Sequence, residues 1–414
     1  MTLLRLTGRG QALYALRHRD YRLFWSGLLL SVTGFQVLMV AQGWLVYRLT
    51  EKASSLGLLG LASALPTILV TPLGGVVADR MDPRRLVMIT QGVAAALTFL
   101  LGLLTFLGRI EVWHIWAVAF LGGVALGVDF PTRQALWPHL VERQDIPNAV
   151  ALNSAVWQGT RIVGPSLGGV LIARWGEQAG FLLAALGFLA MAAVMPALRL
   201  PAIPRTHRGM GSALAEGVRY VRGSPLFSFL IGMSFFTSLF GLSYLFLLPV
   251  FARDILKVGA EGLGLLHAAS GIGSLLMTFG AAALAHTPWR GPLLMGGAVL
   301  FGGFLVLFGY STLFPLSLAL SFLAGASSSL YMLLLMTTLQ ERVPNELRGR
   351  VMGLFGMTWS LMPLGALQSG FIADVRGAPF AVALGGVLVA AFTLLSAINP
   401  RLRRLGTEAA PSGD

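Results

Sequence analysis

Apolar runs of membrane-crossing length recur twelve times along the chain, with short polar stretches between them. They span about residues 23–47, 55–78, 86–107, 112–135, 149–173, 178–198, 226–251, 262–285, 291–310, 313–338, 350–373 and 378–398. Roughly 20 apolar residues, rising 1.5 Å each in a helix, cross the hydrocarbon core of a bilayer. Barrel strands would alternate apolar and polar positions in short segments, which these runs do not do. The pattern predicts an all-α membrane protein of twelve transmembrane helices. The longest internal polar stretch, about 199–224, carries Pro201, Pro204, Arg205, Arg208, Arg219 and Arg222. It follows six runs and precedes six, which predicts an N-terminal segment 1–22, a six-helix half 23–198, a linker 199–224, a second half 225–398 and a tail 399–414.

Composition agrees. Of the 414 residues 56% are hydrophobic and 11% charged, against about 25% charged in soluble domains. A soluble fold would leave large apolar patches exposed. The net charge of +13 would suggest nucleic acid on a soluble protein; on a membrane protein it reports orientation. With the N-terminus inside, 22 of the 30 Lys and Arg fall in cytoplasmic segments and seven in external loops, leaving Arg161 within a span. That bias predicts that both termini are cytoplasmic. The polar first 22 residues and the lack of a small-residue cleavage site predict no cleaved signal peptide. Cysteine is absent, so disulfides and thiol chemistry are excluded.

The halves echo each other. Asp145-Ile-Pro-Asn148 enters the fifth run and Val343-Pro-Asn345 the eleventh, and these runs carry Pro165 and Pro363. Two six-helix halves with parallel internal symmetry are the plan of a rocker-type secondary transporter.

The second connection reads Gly75-Val-Val-Ala-Asp79-Arg80-Met-Asp82-Pro-Arg84-Arg85. Gly75 permits close approach of a neighbouring helix. Asp79 suits a helix N-terminus, and Arg80, Arg84 and Arg85 suit acidic groups or anionic headgroups. The stretch resembles the signature of the major facilitator superfamily, with Asp82 where the superfamily prefers Gly. The resemblance implies that this cluster latches the two halves in the outward-facing state. The corresponding loop of the second half, Ala285-His286-Thr-Pro-Trp-Arg290, lacks the Asp-Arg pair, so the latch is one-sided.

Further motifs narrow the resemblance. They are Leu16-Arg-His-Arg-Asp20-Tyr-Arg-Leu-Phe24-Trp, Gly34-Phe-Gln36, Asp129-Phe-Pro-Thr-Arg133, Asn148-Ala-Val-Ala-Leu-Asn153 and Arg161-Ile-Val-Gly164-Pro165-Ser-Leu-Gly168-Gly169. Together they resemble the enterobactin-exporter-like branch of the superfamily, which includes siderophore and drug efflux proteins. Gly164, Pro165, Gly168 and Gly169 are also similar to the antiporter motif of drug/proton exchangers, although Leu152 and Thr160 stand where that motif has glycines. Pro165 removes a helix hydrogen bond, so a bend is expected there, serving either gating or packing.

Intramembrane ionisable groups are costly and mark function. The candidates are Asp129, Arg133, Arg161 and His267. Asp129 either exchanges a proton while Arg161 tunes it or holds substrate, or it pairs with Arg133 or the Arg80 cluster as a brace. His267 titrates near neutral pH or serves as an interfacial hydrogen bonder. The superfamily lines its central cavity with spans one, four, seven and ten. That places Gln36, Gln42, Phe236, Phe240, Tyr244, Ser328 and Tyr331 there, with Trp359 from the eleventh. Such a wall suits bulky amphipathic ligands.

No Walker loop, zinc-protease helix, nucleophile elbow or dinucleotide fingerprint occurs, and the six His lack ligand spacing. The chain is therefore expected to be a transporter rather than an enzyme, with no cofactor or metal. The expected task is export of a hydrophobic or amphipathic small molecule by proton antiport and alternating access, from a monomer in a bacterial inner membrane with lipids as neighbours. A lysophospholipid carrier, an uptake symporter and a non-transporting sensor or scaffold are the alternatives.

Overall fold

The unbroken apolar runs become helices because a backbone in hydrocarbon must satisfy its own N–H and C=O groups. The structure, a computed structural model, describes residues 14–199, 219–284, 287 and 289–396. Among these residues no strand is present. A short turn, Tyr14–Arg17, precedes α1 (Arg19–Thr50), α2 (Ala53–Arg80), α3 (Pro83–Phe106), α4 (Val112–Leu136), α5 (Ile146–Trp175) and α6 (Glu177–Val194). Then follow α7 (Pro225–Phe236), α8 (Tyr244–Val250), α9 (Gly259–Leu284), α10 (Arg290–Gly309), α11 (Phe314–Arg342), α12 (Asn345–Trp359), α13 (Met362–Arg376) and α14 (Ala378–Ser396).

Ten segments among the described residues are long and apolar enough to cross a membrane. Two expected spans are not among them. The fifth lies in α5, a continuous helix whose Asn148, Asn153, Gln158 and Arg161 dilute its apolar character. The eleventh is two 15-residue helices separated at Ser360 and Leu361, just before Pro363. The paired prolines thus behave differently: α5 runs unbroken through Pro165, and the chain is interrupted beside Pro363. The seventh span joins α7 and α8 through a wide π-type turn at Thr237–Gly241 and ends in another at Phe251–Ile255.

The chain forms two compact units, Met1–Leu45 with Ala62–His207, and Val46–Leu61 with Arg208–Asp414. The boundary after His207 falls within the 199–224 stretch, most of which lies outside the described residues, as does the 399–414 tail. Residues 46–61 group with the second unit rather than with the first half.

In the first unit, α1, α5 and the end of α6 share a core built on Tyr21, Phe24, Val156 and Met191. Helix α2 meets α4 at backbone distance: a Cβ on Gly123 would lie 2.2 Å from the Ser63 carbonyl oxygen, and one on Gly74 would lie 2.5 Å from that of Gly127. The close-approach residue is therefore Gly74 and not Gly75, whose added Cβ would meet nothing within 4 Å. In the second unit, α9 and α11 interlock the same way. A Cβ on Gly273 would lie 2.0 Å from the Phe322 oxygen, and one on Gly325 would lie 2.0 Å from the Ser270 oxygen.

Because backbone cannot retreat as a flexible side chain can, Gly325→Val is expected to destabilise by at least the ~1–3 kcal/mol typical of overpacking. Gly303→Ala, on an exposed helix face with nothing within 4 Å, should be neutral or stabilising by up to ~1 kcal/mol. Thermal unfolding of the two purified variants checks the contrast.

Candidate functional site

The connection between α2 and α3 explains the departure at Asp82. Its side chain caps α3, accepting from the Arg84 backbone N–H at 2.9 Å, with Pro83 in the first turn. The same carboxylate pairs with the Arg84 guanidinium at 2.8 Å, and Arg84 Nη1 donates to the Leu198 carbonyl at 2.9 Å. The Arg84 guanidinium's hydrogen bond to Asp82 holds that carboxyl below the usual carboxylate range. Asp82-Pro83 is a legible helix-start signal, which the family comparison hid by marking Asp82 only as a deviation. Arg80 and Arg85 are exposed, and the Asp79 side chain lies outside the described residues.

The N-terminal motif and the Asn148–Asn153 motif hold one another. The Ala15 N–H donates to Asn148 Oδ1 at 2.9 Å, Tyr21 Oη donates to the Ala149 carbonyl at 2.9 Å, and Trp25 Nε1 donates to the Leu152 carbonyl at 3.2 Å. At their rim Asp145 meets His18 Nε2 at 2.7 Å and Arg17 at 3.1 Å. The His18 contact, then Arg17, keep the Asp145 carboxyl low. All three fall in motifs legible in the sequence, but residues 127 and 128 positions apart carry no local sign that they meet.

The first unit lines a partly open cavity of about 320 Å³. Helices α1 to α4 supply most of the wall, including Phe35, Met39 and Gln42, with Trp157 of α5 and Phe188 of α6. Asp129 and Arg133 line it from α4. They form an ion pair at 2.5 Å one turn apart, and both are buried. Thr90 Oγ1 of α3 donates to Asp129 Oδ1 at 3.0 Å, while Arg133 Nε and Nη1 make no hydrogen bond. Arg133 is thus a buried charge inside α4, paired with Asp129 as one of the two sequence readings had it. Arg161, which might have partnered Asp129, stands on the exposed face of α5 and does not line the cavity.

Of the expected cavity residues, Gln42 lines this pocket and Gln36 does not. Gln36 packs on α5, where a Cβ at Gly164 would lie 2.4 Å from its own. Gly168 approaches Val37 at ordinary contact distance, and Gly169 is buried. The second-unit candidates lie in side-chain packing. Phe236 stacks on Phe392 at 4.2 Å and meets Phe240 at 5.5 Å. Tyr244 bonds Ser270 at 3.1 Å, and Tyr331 is 1% exposed beside Phe301. Ser328 donates to the Gly325 carbonyl at 2.9 Å, Trp359 is exposed, and His267 is half-buried in α9. Of the Ala285–Arg290 loop, residues 285, 286 and 288 lie outside the described residues; Arg290 pairs with Glu341.

A second charged cluster explains why residues 46–61 join the second unit. The Asp374 carboxylate accepts from the Ala53 N–H at 2.6 Å and the Ser54 N–H at 3.1 Å, so an acid from α13 caps α2. Arg253 pairs with Glu51 at 2.7 Å, and Tyr47 bonds Asp254. Asp374 stands 321 residues from Ala53, so no local pattern signals this cap.

Removing one partner of a buried ion pair strands the other, at a cost of about 3–5 kcal/mol. Arg133→Gln alone should therefore destabilise strongly, and Asp129→Asn/Arg133→Gln should recover most of the loss; a double-mutant cycle on thermal unfolding measures this. At Asp82, loss of the cap in Asp82→Ala should cost ~1 kcal/mol at neutral pH. Because the folded carboxyl titrates below its unfolded value, its stabilisation is complete above pH ~4 and is lost as pH falls further. Amide exchange in the first turn of α3 should show the difference between Asp82→Ala and the native chain shrinking at acid pH.

The family model described as "Transmembrane secretion effector" matches residues 11–413. The chain is 25% identical to the staphyloferrin A transporter of Staphylococcus aureus over 94% of its length and 98% of the relative's. It is 24% identical to the multidrug efflux pump Tap of Mycolicibacterium fortuitum over 91% and 95%. In structure it is similar to a bacterial homologue of the human lysosomal transporter Spinster in an inward-facing, occupied conformation. That likeness has a TM-score of 0.75 and 14% identity, over 95% of this chain and 99% of the other, and it speaks for the fold. Transporters, not enzymes, make up this company. The chain belongs to the transmembrane secretion effector family of the major facilitator superfamily.

Proposed function

We propose that this protein exports a hydrophobic or amphipathic small molecule, drug-like or siderophore-like, by alternating access with proton antiport. The observation that carries the proposal is the first-unit cavity: an apolar and aromatic wall with one buried carboxylate, Asp129, held by Arg133 and Thr90. A carboxylate in such surroundings is a costly group that a passive channel wall would not need. Protonation of Asp129 would release Arg133, and so couples proton entry to a change in the same space that receives the substrate. The efflux function in the name of the relative Tap supports the direction.

The 22-to-seven distribution of basic residues supports placing both termini on the cytoplasmic side of a bacterial inner membrane. In that orientation Gly75, Asp79, Arg80, Arg84 and Arg85 stand at the cytoplasmic end, where the superfamily resemblance assigns a latch. The working unit is a monomer surrounded by lipid.

Purified protein in proteoliposomes with an imposed pH gradient tests the proposal. Screening dyes, macrolide-like drugs and siderophores should find at least one whose movement collapses the gradient. Asp129→Asn is expected to abolish proton-coupled transport by at least tenfold while the protein still inserts. Asp79→Asn and Arg161→Ala should each also abolish it. Native rates in Asp129→Asn would reject the proton site, and native rates in Asp79→Asn or Arg161→Ala would remove that residue from the cycle.

A further inference from the structure

The seventh span departs from regular helix twice, at the wide turns Thr237–Gly241 and Phe251–Ile255. In each, the backbone bonds five residues back rather than four. The Leu242 N–H donates to the Thr237 carbonyl and the Leu256 N–H to the Phe251 carbonyl, both at 2.8 Å. The seven residues of α8 lie between the two turns. Turns of this kind are rare and collect at the working parts of proteins.

Two opposed sets of contacts meet at the first turn. Thr237 and Ser238 are 1% and 0% exposed, and neither hydroxyl completes a hydrogen bond, although Thr237 lies near the Tyr331 hydroxyl. Elsewhere Thr132, Thr160, Thr338 and Thr393 each donate to the carbonyl four residues back, at 2.7–2.8 Å. A regular turn would offer Thr237 the Met233 carbonyl and Ser238 the Ser234 carbonyl in the same way. Unmatched buried hydroxyls are costly, so they favour closing the turn. Against this, the wide turn seats two carbonyls in notches on neighbouring helices. A Cβ on Gly365 of α13 would lie 1.9 Å from the Leu239 oxygen, and one on Gly385 of α14 would lie 2.3 Å from the Phe240 oxygen. Glycine Cα–H groups are natural partners for such oxygens, and these contacts favour the wide form.

We propose that α8 is a two-state element, which turns by one residue step between the wide form of the Thr237–Gly241 turn and a regular form. One step is ~100° about the helix axis and ~1.5 Å along it. The glycine notches hold the wide state, and the two hydroxyls draw the turn toward the regular one. Beyond α8 the chain is tied down, Arg253 to Glu51 at 2.7 Å and Asp254 to Tyr47. The second wide turn therefore takes up the difference while the outer end stays in place. In the wide state Tyr244 faces inward, its hydroxyl bonded to Ser270 at 3.1 Å and its ring against Phe308. In the regular state a chain neighbour takes that position, so the switch changes which side chains the seventh span presents. The inference rests on the exporter reading only for the use of the switch, not for its existence.

The chain has no cysteine, so a single spin label can be placed at Leu245→Cys in α8, with Ile231→Cys in α7 as the control; both positions are half-buried. In the purified full chain the label at 245 should give two spectral components. Thr237→Val/Ser238→Ala removes what the regular turn gains. It should reduce one component at least tenfold and raise the melting temperature. Gly365→Ala fills a notch and should enlarge that same component at the expense of the other. A label at 245 whose spectrum neither variant alters would overturn the inference, and so would an equal response at 231. If Gly365→Ala does not fold, Thr237→Val/Ser238→Ala decides alone. In the proteoliposome screen, Thr237→Val/Ser238→Ala should also lose at least tenfold in transport of any dye the native chain moves, a loss that a purely structural turn would not produce. Native transport with one component lost keeps the two-state element and removes it from the cycle. Two components in a chain that moves no compound reject the exporter reading and keep the switch.

Discussion

Helices surrounded by hydrocarbon gain nothing by hiding apolar surface from one another, so contact itself must hold them. Dispersion falls steeply with distance, and only backbones that touch collect enough of it. The two units meet this constraint in the same way. Gly74 and Gly123 bring α2 against α4, and Gly273 and Gly325 bring α9 against α11, each at a distance where no Cβ fits. Part of the high glycine count, 51 of 414, serves this packing, while others such as Gly75 and Gly303 meet nothing within 4 Å.

Close packing leaves little room for polar groups, and those that remain are matched with care. Asp82 caps α3, Asp374 caps α2 from a distance, and Asp145 gathers Arg17 and His18. Each of these sits at a helix end. Asp129 and Arg133 stand in the last two turns of α4 but face inward. They line a cavity of the first unit, with part of the guanidinium unmatched. This exception is the place to which the proposed proton coupling is assigned.

Much of this was legible from residue order. Apolar run length announced the helices, and the Gly75–Arg85 and Asp129–Gly169 stretches announced the family, because their residue types serve turns, helix ends and close contacts that recur wherever the fold does. The reading faltered where local pattern underdetermines environment. Arg133 was legible as an intramembrane candidate one turn beyond Asp129, but the Thr90 contact that completes the buried pair was not. Arg161 looked buried because it stands mid-run, yet its face of α5 is exposed. Gly75 and Gly74 are indistinguishable in sequence, and a 100° difference in helix azimuth separates a contact from open space.

Sequence alone determined the class of this protein: a helical membrane transporter of the major facilitator type. Run length, charge bias and short motifs are one-dimensional quantities, and the bilayer imposes its demands along that dimension. Tertiary structure decided which polar groups meet. It set Asp129 against Arg133 and Thr90 rather than Arg161, and placed the end of α2 under Asp374, 321 residues away. It also formed a partly open cavity among residues of the first unit. Those outcomes depend on helix rotation and on the register between helices, which residues distant in the chain determine jointly and which no single run of sequence carries.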